Sequence, residues 1–337
     1  MSPDGCGVLR TVNRIGLTIP FAGSDVARQR DAVARATDLG YTDLWTSETT
    51  ESDGLTPLAL AAGWGSSARL GTAILPVQTR GPALLAMSIS AMAQAAPGRF
   101  VAGIGASSRT IVCSWNAMPF DAPLSRIRDT LHFLREALTG AKVTRDYHTF
   151  SVSGFRLGST PDEPPPLYVA ALREGALRLA GEEADGVILN WLSAQDVARV
   201  AAVVKQSDAS KEVVARLFVC PSTDVATVGA EARRHIAAYL TVPTYKAFHE
   251  WLGRGAALNG MWQAWDAGDR KAALAAIPNE VVDSLIIHGS PTQCHQRIRE
   301  YLQAGVDTAV LQFMPWGMTQ DTALSHLGRV TPSVIVD

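Results

Sequence analysis

The chain alternates between two kinds of segment, and this beat constrains its fold more than any other feature. Short runs rich in β-branched and apolar residues, "RIGLTIPF" (14–21), "TDLWTSE" (42–48), "RLGTAILP" (69–76) and "RFVAGIGAS" (99–107), each lead into a longer helical pattern. In "DVARQRDAVARATDLG" Val26, Val33, Ala36 and Leu39 recur near helical spacing, and Gly40 closes the helix. The beat resumes with "LYVAAL" (167–172), "DGVILNW" (185–191), "VVARLFVCPS" (213–222) and "DTAVLQFMP" (307–315). Eight strands alternating with helices predict one parallel α/β architecture.

An open, doubly wound sheet has the same alternation. It would also carry a glycine fingerprint after its first strand, and "TIPFAGSDVARQ" has none. "GIGASS" in the fourth unit lacks the third glycine and comes too late in the chain. The expected fold is therefore a closed (β/α)8 TIM barrel with function at the C-terminal ends of its strands. Residues 1–12 read as a flexible tail and 13–330 as one barrel domain, with a helical insertion rich in Ala and Trp at about 222–283, after the seventh strand.

With 337 residues, 47% hydrophobic and 18% charged, the chain can bury a core of that size. A net charge of −2 without a long charge run gives no electrostatic case for nucleic acid or an anionic membrane surface. The N-terminus lacks an apolar signal region and no apolar run suits a membrane span, so a cytoplasmic protein is expected. Its four cysteines are widely spaced, which suits reduced thiols and offers no metal site. The expected partner is a small molecule.

The expected rim narrows the chemistry. The five lysines fall away from the strand ends, which removes the nucleophile of a Schiff-base aldolase. None of the seven histidines pairs with another ligand at metal-binding spacing, and no G-x-S-x-G elbow occurs. A rim poor in His, Lys and metal ligands points to an organic cofactor that brings the reactivity with it.

Five blocks in this order, "GYTDLWTSE", "RLGTAILPVQTRGPALLAMSISAMAQAAPGRFVAGIGAS", "WNAMPFDAPLSRIRDTLHFLREALTG", "PLYVAALREGALRLAGEEADGVILNW" and "IIHGSPTQCHQRIREYLQAGVDTAVLQ", carry a resemblance. The chain resembles the bacterial luciferase-like superfamily, and within it the actinobacterial oxidoreductases that use the deazaflavin coenzyme F420. The resemblance covers about residues 13–316. It implies a homodimer of (β/α)8 barrels with an insertion, holding F420, or alternatively FMN, at the strand C-termini.

By position, the resemblance puts a non-prolyl cis peptide among Thr72, Ala73 and Ile74, behind the cofactor ring; taken alone, this run reads as an ordinary buried strand. Ser107 and Ser108 match a loop that contacts the cofactor tail. Ala171, Arg173, Glu174, Gly175 and Ala176 match a segment whose backbone amides hold the cofactor phosphate. The residues support that role independently, because a helix starting near Arg173 or Glu174 has no Ser, Thr, Asp or Asn cap and leaves its first N–H groups to an anion. Asn190 and Trp191 end the sixth strand beside the ring or substrate, and Trp115 and Asn116 suit loop closure near the pocket or core packing. Trp251, Trp262 and Trp265 fall in the insertion, as a lid, a dimer surface or helix core.

Relatives that oxidise alcohols carry Asp then His at the end of the second strand, where this chain has Glu48 and Thr49. The missing His favours reduction: hydride delivered to an activated C=C or C=N bond, with Glu48, Thr49, Ser108 or water supplying the proton. The expected substrate is a small molecule or a modified peptide. An FMN-dependent monooxygenase and a non-catalytic barrel retained for binding are the two rivals.

Overall fold

The computed structural model describes residues 13–21, 25–319, 322 and 325–336; the expected tail, residues 1–12, lies outside the described residues. The strands are β1 (Arg14–Thr18), β2 (Asp43–Thr46), β3 (Arg69–Thr72), β4 (Leu75–Pro76), β5 (Phe100–Gly105) and the pair β6 (Val143–Asp146) and β7 (Ser151–Phe155). There follow β8 (Leu167–Ala170), β9 (Gly186–Asn190), β10 (Glu212–Cys220), β11 (Ile286–His288) and β12 (Thr308–Phe313). β1, β2, β3, β5, β8, β9, β10 and β12 pair in that order, and β12 returns to β1. Every one of these pairings is parallel, so the sheet closes into the eight-stranded (β/α)8 barrel that the alternation predicts.

The first helices are α1 (Arg30–Asp38), α2 (Thr56–Gly63), α3 (Pro82–Ala95), α4 (Pro123–Ala137), α5 (Glu174–Glu183) and α6 (Ala194–Val204). Five more, α7 (Val225–Leu240), α8 (Pro243–Trp251), α9 (Gly255–Asp266), α10 (Arg270–Ala275) and α11 (Asn279–Leu285), stand between β10 and β11. α12 (Pro291–Gln303) and α13 (Pro332–Val336) complete the described helices. The helices α7 to α11 share an apolar cluster with the upper end of β10, including Phe218, Cys220, Ile236, Leu258 and Trp262. Trp262 is buried and donates its indole N–H to the Leu240 carbonyl at 2.8 Å, so it is helix core.

Alternation along each strand decides what fills the barrel. Ile15, Leu17, Leu44, Leu70, Val169, Ala215 and Leu311 belong to the apolar layer between strands and helices. Their neighbours Trp45, Val101, Tyr168, Ile188, Val214 and Val310 pack together inside. Trp45 is wholly buried, and it fits because its register partner is Gly71: a Cβ there would run into the indole. Gly103 has a similar reason, since its Cβ would meet the Thr72 carbonyl oxygen.

One turn below, at the N-terminal end of the barrel, the interior is charged. Arg69 bonds to Asp43 and forks onto Glu212 at 2.8 and 2.6 Å, while Tyr168 and Thr308 donate to the same carboxylate at 2.5 and 2.6 Å. Burial would raise the Glu212 pKa, but Arg69 and these donors win and bring it down to about 2. A buried carboxylate without such partners would be strongly unfavourable, so this network is the closed floor of the barrel.

The sequence reading missed two elements. β6 and β7 form an antiparallel hairpin ahead of the Pro-rich loop, and its aromatic residues Tyr147, Phe150 and Phe155 pack around Phe133 of α4. β11 adds to β10 beyond the point where β9 stops pairing, with Phe218 opposite Ile286.

Candidate active site at the barrel mouth

At the C-terminal end of β2 the chain leaves the barrel through Ser47 and Glu48, both half-buried, while Thr49 and Thr50 are exposed. Glu48 is fixed on both oxygens. One accepts from Arg80 at 2.5 Å, and the other accepts from the Gly54 N–H at 2.9 Å. This staples the loop after β2 to the loop before α3. A carboxylate used as an acceptor on both oxygens is built to hold a shape, and Thr49 is exposed.

Next to it, β3 ends at Thr72, whose hydroxyl both donates to the Gly103 carbonyl and accepts from the Gly103 N–H, each at 2.9 Å. Thr72 thus replaces a missing ladder pairing and is wholly buried, with its side chain committed to β5. The peptide between Ala73 and Ile74 is cis, and β4 then pairs with β5. Ala73 and Ile74 are half-buried and pack with Ala170 at the top of the barrel interior.

After β5, Ser107 takes a left-handed backbone with φ 62°. The Ser108 hydroxyl accepts from the Ile111 N–H at 3.3 Å, ahead of the π-helical turn Thr110–Trp115. Its proton remains available to a partner in the mouth. Trp115 is 55% exposed and Asn116 is exposed, with its amide on the Ile111 carbonyl at 2.8 Å, which rules out the core-packing alternative for this pair.

β5 and β8 are neighbours, so the loop carrying Ser107 and Ser108 lies beside the start of α5. Arg173 caps α5 with extended backbone and no side-chain hydrogen bond. The N–H groups of Ala176 and Leu177 turn back to the Arg173 carbonyl at 3.0 and 2.9 Å, whereas those of Glu174 and Gly175 have no partner among the described residues. The Glu174 side chain points away, pairing with Arg178 at 2.7 Å. Ala171 is buried, its N–H bonded to Ile188 across the sheet at 3.1 Å, and so contributes packing. Of the expected phosphate segment, Glu174 and Gly175 are the residues that offer free donors at a helix N-terminus.

The opposite side of the mouth joins the expected residues Asn190 and Trp191 to Arg216, His235, Tyr245 and Gln312, which the sequence reading did not single out. Asn190 on β9 is the register partner of Arg216 on β10, and both are half-buried. Arg216 donates to Gln312 of β12 at 2.6 Å. The Asn190 amide lies 3.4 Å from the Tyr245 hydroxyl, whose pKa burial pushes up to about 12. Trp191, with φ 57°, packs on Phe218, Tyr239 and His235 at ring separations of 4.4, 4.9 and 5.2 Å. Burial, followed by the charge of Arg216, pulls the His235 pKa down to about 4, so its imidazole is neutral at pH 7. A signal for Arg216 exists in "VVARLFVC": it falls in phase with Val214 and Phe218, on the face that lines the barrel.

Among the described residues no cluster of three metal-ligating side chains occurs, and no helix is long and apolar enough to cross a membrane. The mouth therefore presents anion-ready amides, hydroxyls, an amide side chain, an arginine and aromatic rings. Among the described residues no side chain there is placed as a general base.

Comparison with known proteins identifies the family and the fold. The chain is 27% identical over 323 residues to the 5,10-methylenetetrahydromethanopterin reductase of Methanolobus tindarius, covering 92% of this chain and 98% of that one. It is 24% identical over 333 residues to a Mycobacterium tuberculosis protein provisionally named a coenzyme F420-dependent oxidoreductase, covering 88% and 94% of the two chains. In fold it superposes on the coenzyme F420-dependent tetrahydromethanopterin reductase of Methanopyrus kandleri with a TM-score of 0.77 at 20% identity, over 95% of this chain and 98% of the other. The luciferase-like monooxygenase family matches residues 11–308, and this chain belongs to that family.

Proposed function

We propose that the protein is an F420-dependent oxidoreductase that reduces an activated C=C or C=N bond of a small organic substrate. The observation that carries this reading is the start of α5, where the N–H groups of Glu174 and Gly175 have no partner among the described residues, next to the strand that leads into the loop of Ser107 and Ser108. Relatives named as a reductase and as an F420-dependent oxidoreductase support the choice of cofactor and reaction type.

The residues present fit such a group. A helix N-terminus with two free donors suits a phosphate, and a Cβ at Gly175 would meet nothing nearer than Leu124 at 3.5 Å, which leaves approach open. Ala73, Ile74 and Ala170 form a small apolar shelf at the top of the barrel interior on which a planar ring could rest. When bound, a reduced deazaflavin supplies a hydride. The chain's own part is to seat and orient: Glu48 and Arg80 fix the loop beside the ring, Ser107 and Ser108 hold the tail, and the barrel's packed interior keeps water from below. A water molecule admitted at the mouth would deliver the proton that completes reduction. With Glu48 engaged on both oxygens, no side chain at the end of β2 is placed to take a proton from an alcohol.

The same reading includes a homodimer and a cytoplasmic enzyme whose substrate is a small molecule or a modified peptide. It is tested by mixing the protein with reduced F420 and a panel of enones, imines and secondary alcohols with oxidised F420, following the deazaflavin absorbance. Turnover with unsaturated acceptors and none with alcohols is expected; the reverse pattern would overturn the direction.

A further inference from the structure

Arg69 and Arg216 line the barrel interior at different depths, and their surroundings differ in one decisive respect. Arg69, at the closed end, is matched by the carboxylates of Asp43 and Glu212. Arg216, at the mouth, bonds only to the neutral amide of Gln312, and among the described residues no carboxylate comes within ion-pair reach. Its Nε atom is shielded from solvent and has no acceptor. A guanidinium taken out of water without a counter-charge is costly, and its planar fork is shaped for a carboxylate or a similar oxyanion.

What surrounds Arg216 is equally incomplete. The Asn190 Oδ1, His235 Nε2 and Trp191 Nε1 atoms are all buried without a partner. The Phe218 ring lies 5.3 Å from the guanidinium and continues into Trp191 and His235, forming an aromatic wall. His235, held neutral by burial and by Arg216, adds no negative charge. Arg216 and Asn190, half-buried at the open end of the barrel, keep unsatisfied polar atoms against a buried aromatic wall, and so describe a half-made recognition site whose other half comes from a ligand.

We propose that the mouth between β9, β10 and β12 is a substrate subsite for a molecule bearing a carboxylate or comparable oxyanion, bound by the half-buried Arg216 with Asn190 beside it and backed by the buried rings of Trp191 and Phe218. This deepens the proposed reductase reading and rests on it for the reaction, but the binding itself needs no cofactor. A carboxylate conjugated to a C=C bond is the simplest substrate of this class.

The probes are cinnamate and its neutral isostere cinnamamide, titrated into wild type, Arg216→Gln and Arg216→Lys and followed by calorimetry and by quenching of tryptophan fluorescence. F420 is titrated into the same proteins. Cinnamate is expected to bind wild type at least about tenfold more tightly than cinnamamide. Arg216→Gln should lose about tenfold or more for cinnamate and little for cinnamamide, with Arg216→Lys in between. F420 affinity should stay within about threefold in all three, which also reports that the variants are folded. Absence of cinnamate binding to wild type, equal affinity for acid and amide, or an unchanged Arg216→Gln would overturn the subsite. If Arg216→Gln fails to fold, the acid-to-amide ratio in wild type and in Arg216→Lys decides. Failure of F420 to bind wild type would instead sink the proposed function, leaving the carboxylate comparison to stand on its own.

Discussion

Glu48 is the residue at which sequence and structure differ most usefully. Its place at the end of β2 was legible from the alternation in "TDLWTSE", but its partner Arg80 lies 32 residues away and its bond to Gly54 depends on how the loop folds. No local pattern reports either. If Glu48 acts by holding the loop, Glu48→Gln and Arg80→Met should weaken F420 binding alike, and the double variant should be little worse than either single one. A double-mutant cycle would then give a coupling of about 1 kcal/mol or more; near-additive losses would mean that Glu48 acts on the cofactor independently. Arg216 escaped notice for a different reason. In a barrel strand both faces are apolar, so phase alone does not say which face looks inward. At the closed end, the depressed pKa of Glu212 makes a pH prediction. Because the folded value of about 2 lies below the ordinary value of 4.5, the group stabilises the fold above pH 4.5 and loses that contribution as pH falls toward 2. Glu212→Gln should lower unfolding free energy at pH 7 by about 2 to 3 kcal/mol and flatten the acid limb between those limits, measured by urea unfolding across pH. A wild-type acid limb retained in the variant would assign the pH dependence to other groups.

At the level of elements, the eight barrel strands and the start of α5 were legible because burial periodicity and the absence of a capping side chain are local properties. The break between β3 and β4, the β6–β7 hairpin and β11 were not, because each is fixed by a neighbour distant in sequence. Gly103 illustrates the tertiary part: β5 must approach the Thr72 carbonyl, so Gly103→Ala should cost about 1 to 3 kcal/mol or more of unfolding free energy, whereas Gly63→Ala at the end of α2, with nothing within 4 Å, should be neutral or slightly stabilising. Equal effects would remove close strand approach as the reason for this glycine. The N-terminus of α5 makes the second test at this scale. Gly175→Asp introduces a side chain that the space tolerates but an anion would not, so it should weaken F420 binding by about tenfold or more. Arg173→Ala should weaken it only modestly, since backbone amides do the holding. Unchanged affinity in Gly175→Asp would move the phosphate elsewhere on the rim.

As a whole, the molecule divides its barrel by depth. Paired charges close the N-terminal end, a packed interior built around Trp45 fills the middle, and unpaired polar groups crowd the C-terminal mouth. Among the described residues the barrel has no cluster of three metal-ligating side chains, and under the proposed function the reactivity would come with a bound coenzyme while the chain supplies position and charge. The most direct test is a pair of equilibrium titrations of the purified protein, one with F420 followed by quenching of its fluorescence and one with FMN under the same conditions. Saturable F420 binding, at least about tenfold tighter than FMN and weakened by Gly175→Asp, is the expected result. Tight binding of FMN with little or none of F420 would contradict it and make the chain a flavin enzyme.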